Sequence, residues 1–117
     1  MKKVLILITL LIIVTSCSKP VDYKSLGDRN GLMYNVNSQK PYSGRAVEYY
    51  NFYNSVKKKG NFEDGLKDGK YILYFKNGQI NLKANLKDGE FDGWATWYFE
   101  NGEIQHVSNY KDGKLLD

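Results

Sequence analysis

Apolar and polar residues alternate strictly along one stretch in the second half of the chain. The apolar members are Ile80, Leu82, Ala84 and Leu86, separated by Asn81, Lys83 and Asn85. This period of two predicts a β-strand with one buried face and one solvated face. Two β-rich runs, residues 32–36 and 45–50, predict further strands. Because no 3.6-residue apolar periodicity follows the first seventeen residues, the pattern indicates an all-β protein.

A segment of the chain is repeated. The stretch DGKYILYFKNGQI at residues 68–80 returns as DGWATWYFENGEI at residues 92–104, a displacement of 24 residues. When residues 69–92 are laid over residues 93–116, ten of 24 positions are identical. A fixed period of this length is typical of one supersecondary unit that is copied along an array. We therefore predict units at about residues 44–68, 69–92 and 93–116, the first being the least regular.

Each unit carries the signal of a β-hairpin. Asn77-Gly78 and Asn101-Gly102 stand between β-rich runs, and Asn-Gly favours a two-residue type I′ turn in which both residues have positive φ. That turn predicts the pairs Lys76–Gln79, Phe75–Ile80, Leu73–Leu82 and Tyr71–Ala84, followed by Phe99–Ile104, Trp97–His106 and Ala95–Ser108. Asp88-Gly89 and Asp112-Gly113 are predicted to turn the chain between hairpins. Hairpins that follow one another in this way form an antiparallel meander.

The first seventeen residues, MKKVLILITLLIIVTSC, have the order of a bacterial export signal. Lys2 and Lys3 precede an apolar run of about eleven residues, too short to span a bilayer as a helix. The ending VTSC resembles the lipobox of bacterial lipoproteins, which implies that Cys17 is acylated, for example with palmitate, and that cleavage occurs before it. The alternative is an ordinary signal peptide with a chance cysteine. We predict a signal peptide at residues 1–16, a lipidated cysteine and tether at 17–30, and a repeat domain at 31–117.

Composition narrows the functional classes. Without Lys2 and Lys3 the chain has 15 basic and 13 acidic side chains, and these are interspersed, so no nucleic-acid partner is expected. Cys17 is the only cysteine, which excludes an internal disulfide and a multi-cysteine metal site. With a lipid at Cys17, the expected location is the bacterial cell envelope. Because Ser18 and Lys19 follow the cysteine without an aspartate, this would be the outer membrane in a Gram-negative cell.

Two copies of one motif connect the chain to a known family. Gly-x-x-x-x-Tyr-Phe-x-Asn-Gly followed by Lys-Asp-Gly resembles the bacterial MORN-repeat variants, which include proteins labelled as YwqK-family antitoxins. The residues that carry the resemblance are Gly69, Tyr74, Phe75, Asn77, Gly78, Lys87, Asp88 and Gly89, and again Gly93, Tyr98, Phe99, Asn101, Gly102, Lys111, Asp112 and Gly113. The resemblance implies an elongated, mostly single-layer sheet with a role in binding and without catalysis.

Candidate chemistry is sparse. Asp88, Glu90 and Asp92 match the start of an EF-hand loop, but the twelfth position is Phe99 where calcium binding needs glutamate. His106 is the only histidine, and its predicted partner Trp97 makes it an aromatic cross-strand neighbour. We therefore predict no catalytic residue, no metal site, no cofactor and no enzymatic activity.

The aromatic residues are the main remaining signal. All seventeen follow Cys17, and Phe75, Phe99, Trp97 and Tyr71 are predicted to lie in the core. A sheet with no covering layer would leave the others exposed as a partner surface, for which the candidates are Tyr49, Tyr74, Trp94 and Tyr98. The alternative is that these side chains pack on one another as cross-strand ladders.

The sequence thus predicts a lipoprotein anchored through Cys17 that presents a repeat sheet for protein–protein or envelope interaction. The alternative function, implied by the family label, is an antitoxin or immunity-type protein that neutralises a toxin by direct binding. In both cases the partners are the membrane, through the lipid, and an unidentified protein.

Overall fold

The computed structural model describes residues 18–51 and 55–116. They form a ten-stranded, mostly antiparallel sheet and a separate two-stranded hairpin, so the prediction of an all-β protein is confirmed. In the described ranges the only helical element is one 3₁₀ turn, Tyr23–Ser25. The strands are β1 (Val21–Asp22), β2 (Leu26–Arg29), β3 (Leu32–Asn35), β4 (Gly44–Tyr49), β5 (Val56–Glu63), β6 (Leu66–Lys67), β7 (Gly69–Tyr74), β8 (Ile80–Lys87), β9 (Glu90–Phe91), β10 (Gly93–Tyr98), β11 (Ile104–Lys111) and β12 (Lys114–Leu115).

Three long hairpins make up the sheet: β4–β5, β7–β8 and β10–β11. The strand order is β1-β4-β5-β7-β8-β10-β11-β12, with β6 beside β5 and β9 beside β8. Strands β6 and β7 are separated by Asp68 alone, and β9 and β10 by Asp92 alone. The one parallel pair joins β1 to β4. The hairpins therefore follow one another as a meander that starts beside a short N-terminal strand.

The Asn-Gly tips differ from the predicted turn. Gly78 N donates to Phe75 O at 3.0 Å, and Phe75 N donates to Gln79 O at 2.8 Å. Gly78 has a φ of +88°, whereas Asn77 is not left-handed and accepts a hydrogen bond from Gln79 N at its side chain. This is a longer hairpin loop that ends in a left-handed glycine, so the type I′ assignment is wrong. The Asn101-Gly102 tip has the same hydrogen bonds.

A one-residue bulge restores the register below each tip. Tyr74 pairs with Ile80 and Leu73 pairs with Leu82, so Asn81 is the extra residue. The predicted pairs next to the tips, Lys76–Gln79, Phe75–Ile80 and Phe99–Ile104, are therefore wrong. The pairs farther down are confirmed: Leu73–Leu82, Tyr71–Ala84, Trp97–His106 and Ala95–Ser108. The same shift makes Lys57 and Gln105 the extra residues in the other two hairpins.

The two-residue turns with two positive φ angles lie at the opposite end of the sheet. Asp88 and Gly89 have φ angles of +50° and +84°, and Lys87 pairs directly with Glu90 across them. Equivalent turns occur at Asp64-Gly65, Asp112-Gly113 and Asn30-Gly31. The glycine N–H of each Asp-Gly turn also donates to a carbonyl of a preceding element, namely Tyr42, Lys67 or Phe91. These turns therefore hold successive hairpins together as well as reversing the chain.

Both buried clusters lie on one side of the sheet, which we call the core face. Ala46 and Phe62 form the first cluster together with Tyr23 and Leu26. The second cluster consists of Leu82, Ala84 and Ala95, with Tyr71, Leu73, Phe91, Trp97 and Tyr110 packed against it. Tyr71 and Trp97 therefore contact the core as predicted. Phe99 is 48 % exposed, contrary to the prediction, because its backbone closes the tip and its side chain lies beyond the cluster.

The folded part begins at Val21, although the sequence predicted a tether over residues 17–30. Leu26 and Tyr23 are each only 9 % exposed because they cover the first cluster. The polar residues around them hid this contribution, since two isolated apolar residues show no periodicity. The ring of Tyr23 meets Phe62 edge-on at 5.6 Å between centroids, and its hydroxyl reaches Gly60, where no side chain stands in the way.

The fit of Tyr23 against Gly60 makes a testable prediction. A Cβ at Gly60 would clash with the Tyr23 hydroxyl oxygen, so Gly60→Ala should lower the free energy of unfolding by about 1–3 kcal/mol. The control is Gly27→Ala, where the new Cβ would have no neighbour within 4 Å. Adding Tyr23→Phe to Gly60→Ala should recover part of the loss, because it removes the clashing oxygen. Urea unfolding of the four proteins measures these effects, and equal losses for the two alanine variants would contradict the packing.

The buried tyrosines predict instability at alkaline pH. Burial raises the pKa of Tyr23 above its usual range, and the neighbouring Tyr71 and Glu48 raise it further. Burial also raises the pKa of Tyr71. A folded-state pKa above the unfolded value means that stability is intact below about pH 10 and is lost as the pH rises above it. Thermal unfolding between pH 8 and 12 should show this loss, and Tyr23→Phe should reduce it. A Tyr23→Phe profile identical to that of the parent protein would refute the assignment.

Candidate functional site

The four predicted surface aromatics all lie on the side of the sheet opposite the core face, which we call the open face. Tyr49, Tyr74 and Tyr98 are the last residues of β4, β7 and β10, each next to the bulge of its hairpin. Trp94 lies on β10 four residues before Tyr98 and therefore points to the same side. Tyr49 is 51 % and Trp94 is 63 % exposed, whereas Tyr74 and Tyr98 are half-buried.

Cations separate the two exposed aromatic residues. Arg45 lies on β4, and Lys59, Lys70 and Lys83 lie on β5, β7 and β8. All four point to the open face because Lys59 pairs with Val47 and Ile72, and Lys83 pairs with Ile72 and Thr96. All four are exposed. Within residues 18–51 and 55–116 none of them forms an ion pair.

On the open face, three rows of side chains run across the strands, and they start at Tyr49, Val47 and Arg45 of β4. None of these three rows contains a carboxylate. The remaining members of these rows are amides, apolar residues and hydroxyls: Val47, Val56, Asn61, Ile72, Ile80, Asn85, Thr96, Ile104, Val107 and Asn109. Several acidic residues lie instead at the Asp-Gly turns, where Asp92 pairs with Lys111 at 3.5 Å. Uncompensated positive charge over a stretch of sheet attracts anions, since no internal partner neutralises it.

A groove opens on this face next to the N-terminal segment. It has a volume of about 400 Å³, within the size range of small-molecule sites. Its lining combines the cations Arg45, Lys59 and Lys70 with the ring of Tyr49, and Pro20 forms one wall. Arg45 also donates a hydrogen bond from its guanidinium to Ser18 O at 2.9 Å. The chain segment that follows Cys17 therefore lies against the cationic end of the open face.

On the core face, in contrast, Lys58 has contacts that compensate its charge. Lys58 pairs with Glu48 at 3.3 Å and lies over the ring of Tyr23 at 4.3 Å. Burial lowers the pKa of Lys67, and the positive charge of Lys58 lowers it further. The adjacent lysines of the run 57–59 are thus divided: Lys58 has an ion pair on the core face, whereas Lys59 has no ion pair on the open face and lies over the ring of Tyr74 at 5.7 Å. Within the described ranges, the open face thus presents Arg45, Lys59, Lys70 and Lys83 without ion-pair partners.

The other candidate residues have structural contacts. His106 Nε2 lies 2.6 Å from Ser108 Oγ, and its ring is 5.4 Å from the Trp97 ring. Asp92 accepts from Lys111 and faces the backbone N–H of Asp112, both within the turn region. Among the described residues, no group of three or more potential ligands is arranged to hold a metal ion. Cys17 lies outside the described residues.

None of the helical structure in the described ranges is long and apolar enough to cross a membrane. Comparisons with protein families, with characterised proteins and with solved structures find no match to this chain.

Sequence reasoning identified the aromatic members of this site but missed its cations. Lys59, Lys70 and Lys83 are spread over three strands, so they do not form a run in the sequence. In each strand, the alternation of polar and apolar residues already places the lysine on the face opposite the buried apolar residues. Which lysines share a face across the strands depends on the positions of the bulges, and the predicted turns did not give these positions.

The surroundings of Trp94 can be tested by fluorescence quenching. In Trp97→Phe, the remaining Trp94 should be quenched strongly by iodide and weakly by caesium ions, because the neighbouring charges are positive. In Trp94→Phe, the half-buried Trp97 should be quenched weakly by both. The measurement uses the full-length protein in a non-ionic detergent, with neutral acrylamide as the reference quencher. Equal iodide and caesium quenching of Trp94 would show that the face is not electropositive.

Proposed function

We propose that this protein is a bacterial lipoprotein that displays a MORN-like repeat sheet at the cell envelope and binds an envelope component or a protein through its open face. The observation that carries the proposal is the composition of that face, where exposed aromatic rings flank four cations without ion-pair partners in the described ranges. Buried or structural surfaces do not need such a combination. Exposed Trp, Tyr and Arg side chains are the residue types that contribute most of the binding energy at recognition surfaces.

Recurring backbone features support the MORN-like part of the proposal. The left-handed aspartates Asp64, Asp88 and Asp112 are 24 residues apart, and so are the bulge residues Lys57, Asn81 and Gln105. The carbonyls of Asn61, Asn85 and Asn109, at the same spacing, accept equivalent backbone hydrogen bonds. These recurrences agree with units at about residues 44–68, 69–92 and 93–116.

The position of the N-terminal segment supports the anchored arrangement. Ser18 is held by Arg45 at one end of the open face, and it directly follows Cys17 in the sequence. A lipid on Cys17 would therefore keep the open face within a short distance of the membrane surface. Ligands in the adjoining envelope layer would then meet this face at a high effective concentration.

A protein partner, including a toxin, would use the same face. Trp94 and Tyr49 are the residue types that most often act as binding hot spots, and both are more than half exposed. We propose binding without catalysis, since the contacts of His106 are to Ser108 and Trp97, and neither arrangement activates a nucleophile toward the open face.

The proposal predicts a lipid-dependent contact in living cells. A photo-crosslinking amino acid at Trp94, in cells fed an alkyne analogue of palmitate, should give a lipid-labelled protein with a discrete crosslinked adduct. Cys17→Ala should lose both the lipid label and most of the adduct, because the anchor no longer holds the face at the envelope.

The matched control places the same crosslinker at Leu115, which is 58 % exposed but lies on β12 beside the Asp-Gly turn. Ser18→Ala is the second control, because it retains Cys17 and should retain the lipid label. An unlabelled parent protein would refute the anchor. Adducts of equal intensity from Trp94 and Leu115 would refute the open face as the binding surface.

A further inference from the structure

The open face has a defined order of groups across its strands. Tyr49 on β4 and Trp94 on β10 are its two highly exposed rings. Between them, on the three intervening strands, lie Lys59, Lys70 and Lys83. Neighbouring strands are about 4.8 Å apart, so the four steps from β4 to β10 span about 19 Å. The face is thus a cationic strip with an aromatic platform at each end, running across the strands.

The strip offers side-chain groups and almost no backbone groups. In the interior strands β5, β7 and β8 the N–H and C=O groups lie in the plane of the sheet and pair with the neighbouring strands. Donors to a ligand are therefore the ammonium groups of the three lysines, the Arg45 guanidinium and the amide of Asn61. The ligand must supply carboxylates or similar anions, and it must not depend on backbone hydrogen bonds.

We propose that the open face binds an anionic polysaccharide of the cell envelope, one whose sugar units carry carboxylates. One sugar ring packs on Tyr49 and another on Trp94, while the carboxylates of the units between them face Lys59, Lys70 and Lys83. The separation of the two rings across the strands is four strand spacings, or about 19 Å, which corresponds to about four sugar units. This inference rests on the proposed function for its setting at the envelope, and on the geometry of the open face for its ligand.

The side chains of the open face favour a polysaccharide over the other anionic polymers. The flat C–H face of a sugar ring matches an exposed aromatic ring, and its hydroxyls stay in water. An acidic peptide lying on the same strip would take its amides out of water without backbone partners, which is costly. A lipid surface would need no aromatic residues at a fixed distance on either side of the charge. The groove between Arg45 and Lys70, about 400 Å³ in volume, also provides a concave binding site for the polymer near Tyr49.

The test uses oligogalacturonates of two to eight units as the probe and the full-length protein in a non-ionic detergent. Isothermal titration should show that affinity rises up to about four units and then levels off, because the strip has the span of four strand spacings. Neutral gluco-oligosaccharides of the same lengths should bind at least about tenfold more weakly, since they cannot pair with the lysines. Binding should weaken as salt is raised.

Four variants separate the charges from the rings. Lys59→Gln with Lys83→Gln, and separately Trp94→Ala, should each reduce affinity by about tenfold. Lys114→Gln and Leu115→Ala are the matched controls, since both residues are exposed on β12 away from the strip, and they should change affinity by less than about twofold. Circular dichroism confirms that each variant is folded.

Three results would overturn the proposal. Tighter binding of poly-glutamate peptides of matched charge would assign the strip to an acidic protein segment. Displacement of bound oligogalacturonate by phosphatidylglycerol vesicles, with vesicle binding weakened in the Lys59→Gln, Lys83→Gln variant, would assign it to lipid headgroups. Loss of affinity in the lysine variant together with an unchanged Trp94→Ala would reduce the site to nonspecific charge attraction.

These outcomes are separate from failure of the proposed function. A lipid-labelled protein that crosslinks a partner through Trp94 but ignores oligogalacturonate would retain the proposed function and lose this ligand. A protein that binds oligogalacturonate as described but carries no lipid would retain the ligand and lose the anchor.

Discussion

One extra residue in the second strand of each hairpin determines how the two faces of this sheet differ. The Asn-Gly tips end in a left-handed glycine, which leaves the strands out of step by one residue. The bulge at Asn81 corrects this, so that Leu82 pairs with Leu73 and Lys83 pairs with Ile72. Because a slip of one residue exchanges the faces of a strand, a hairpin without the bulge would turn its lysine inward and its leucine outward.

The same correction occurs in all three hairpins, and in two of them it places a lysine at the equivalent position of the open face. Lys59 and Lys83 occupy equivalent positions beyond the bulges at Lys57 and Asn81. The apolar residues opposite them build the core face, which is covered in part by Tyr23 and Leu26 from the N-terminal segment. The core contacts and the proposed recognition surface therefore occupy opposite sides of one layer.

The sequence predicted the strands, the hairpins and the central pairs such as Leu73–Leu82, because alternation and repeated turn residues are local signals. It could not predict which of the two kinds of turn falls at which end, since Asn-Gly and Asp-Gly are compatible with both loop lengths. The contribution of Tyr23 to the core was also hidden, because it depends on the absence of a side chain at Gly60. The lysines on three different strands can be recognised as one site only after the register of the strands is known.

The most direct test of the two-faced arrangement is the rate at which each lysine of the native protein reacts with an acetylating reagent, measured by mass spectrometry. Neighbours in the sequence should differ, with Lys59, Lys70 and Lys83 reacting quickly and Lys58 slowly, because Lys58 is paired with Glu48 and its side chain is 26 % exposed. Oligogalacturonate should then protect the three fast lysines and leave Lys114 unchanged. Equal rates for Lys58 and Lys59 would contradict the division of the sheet into a core face and an open face.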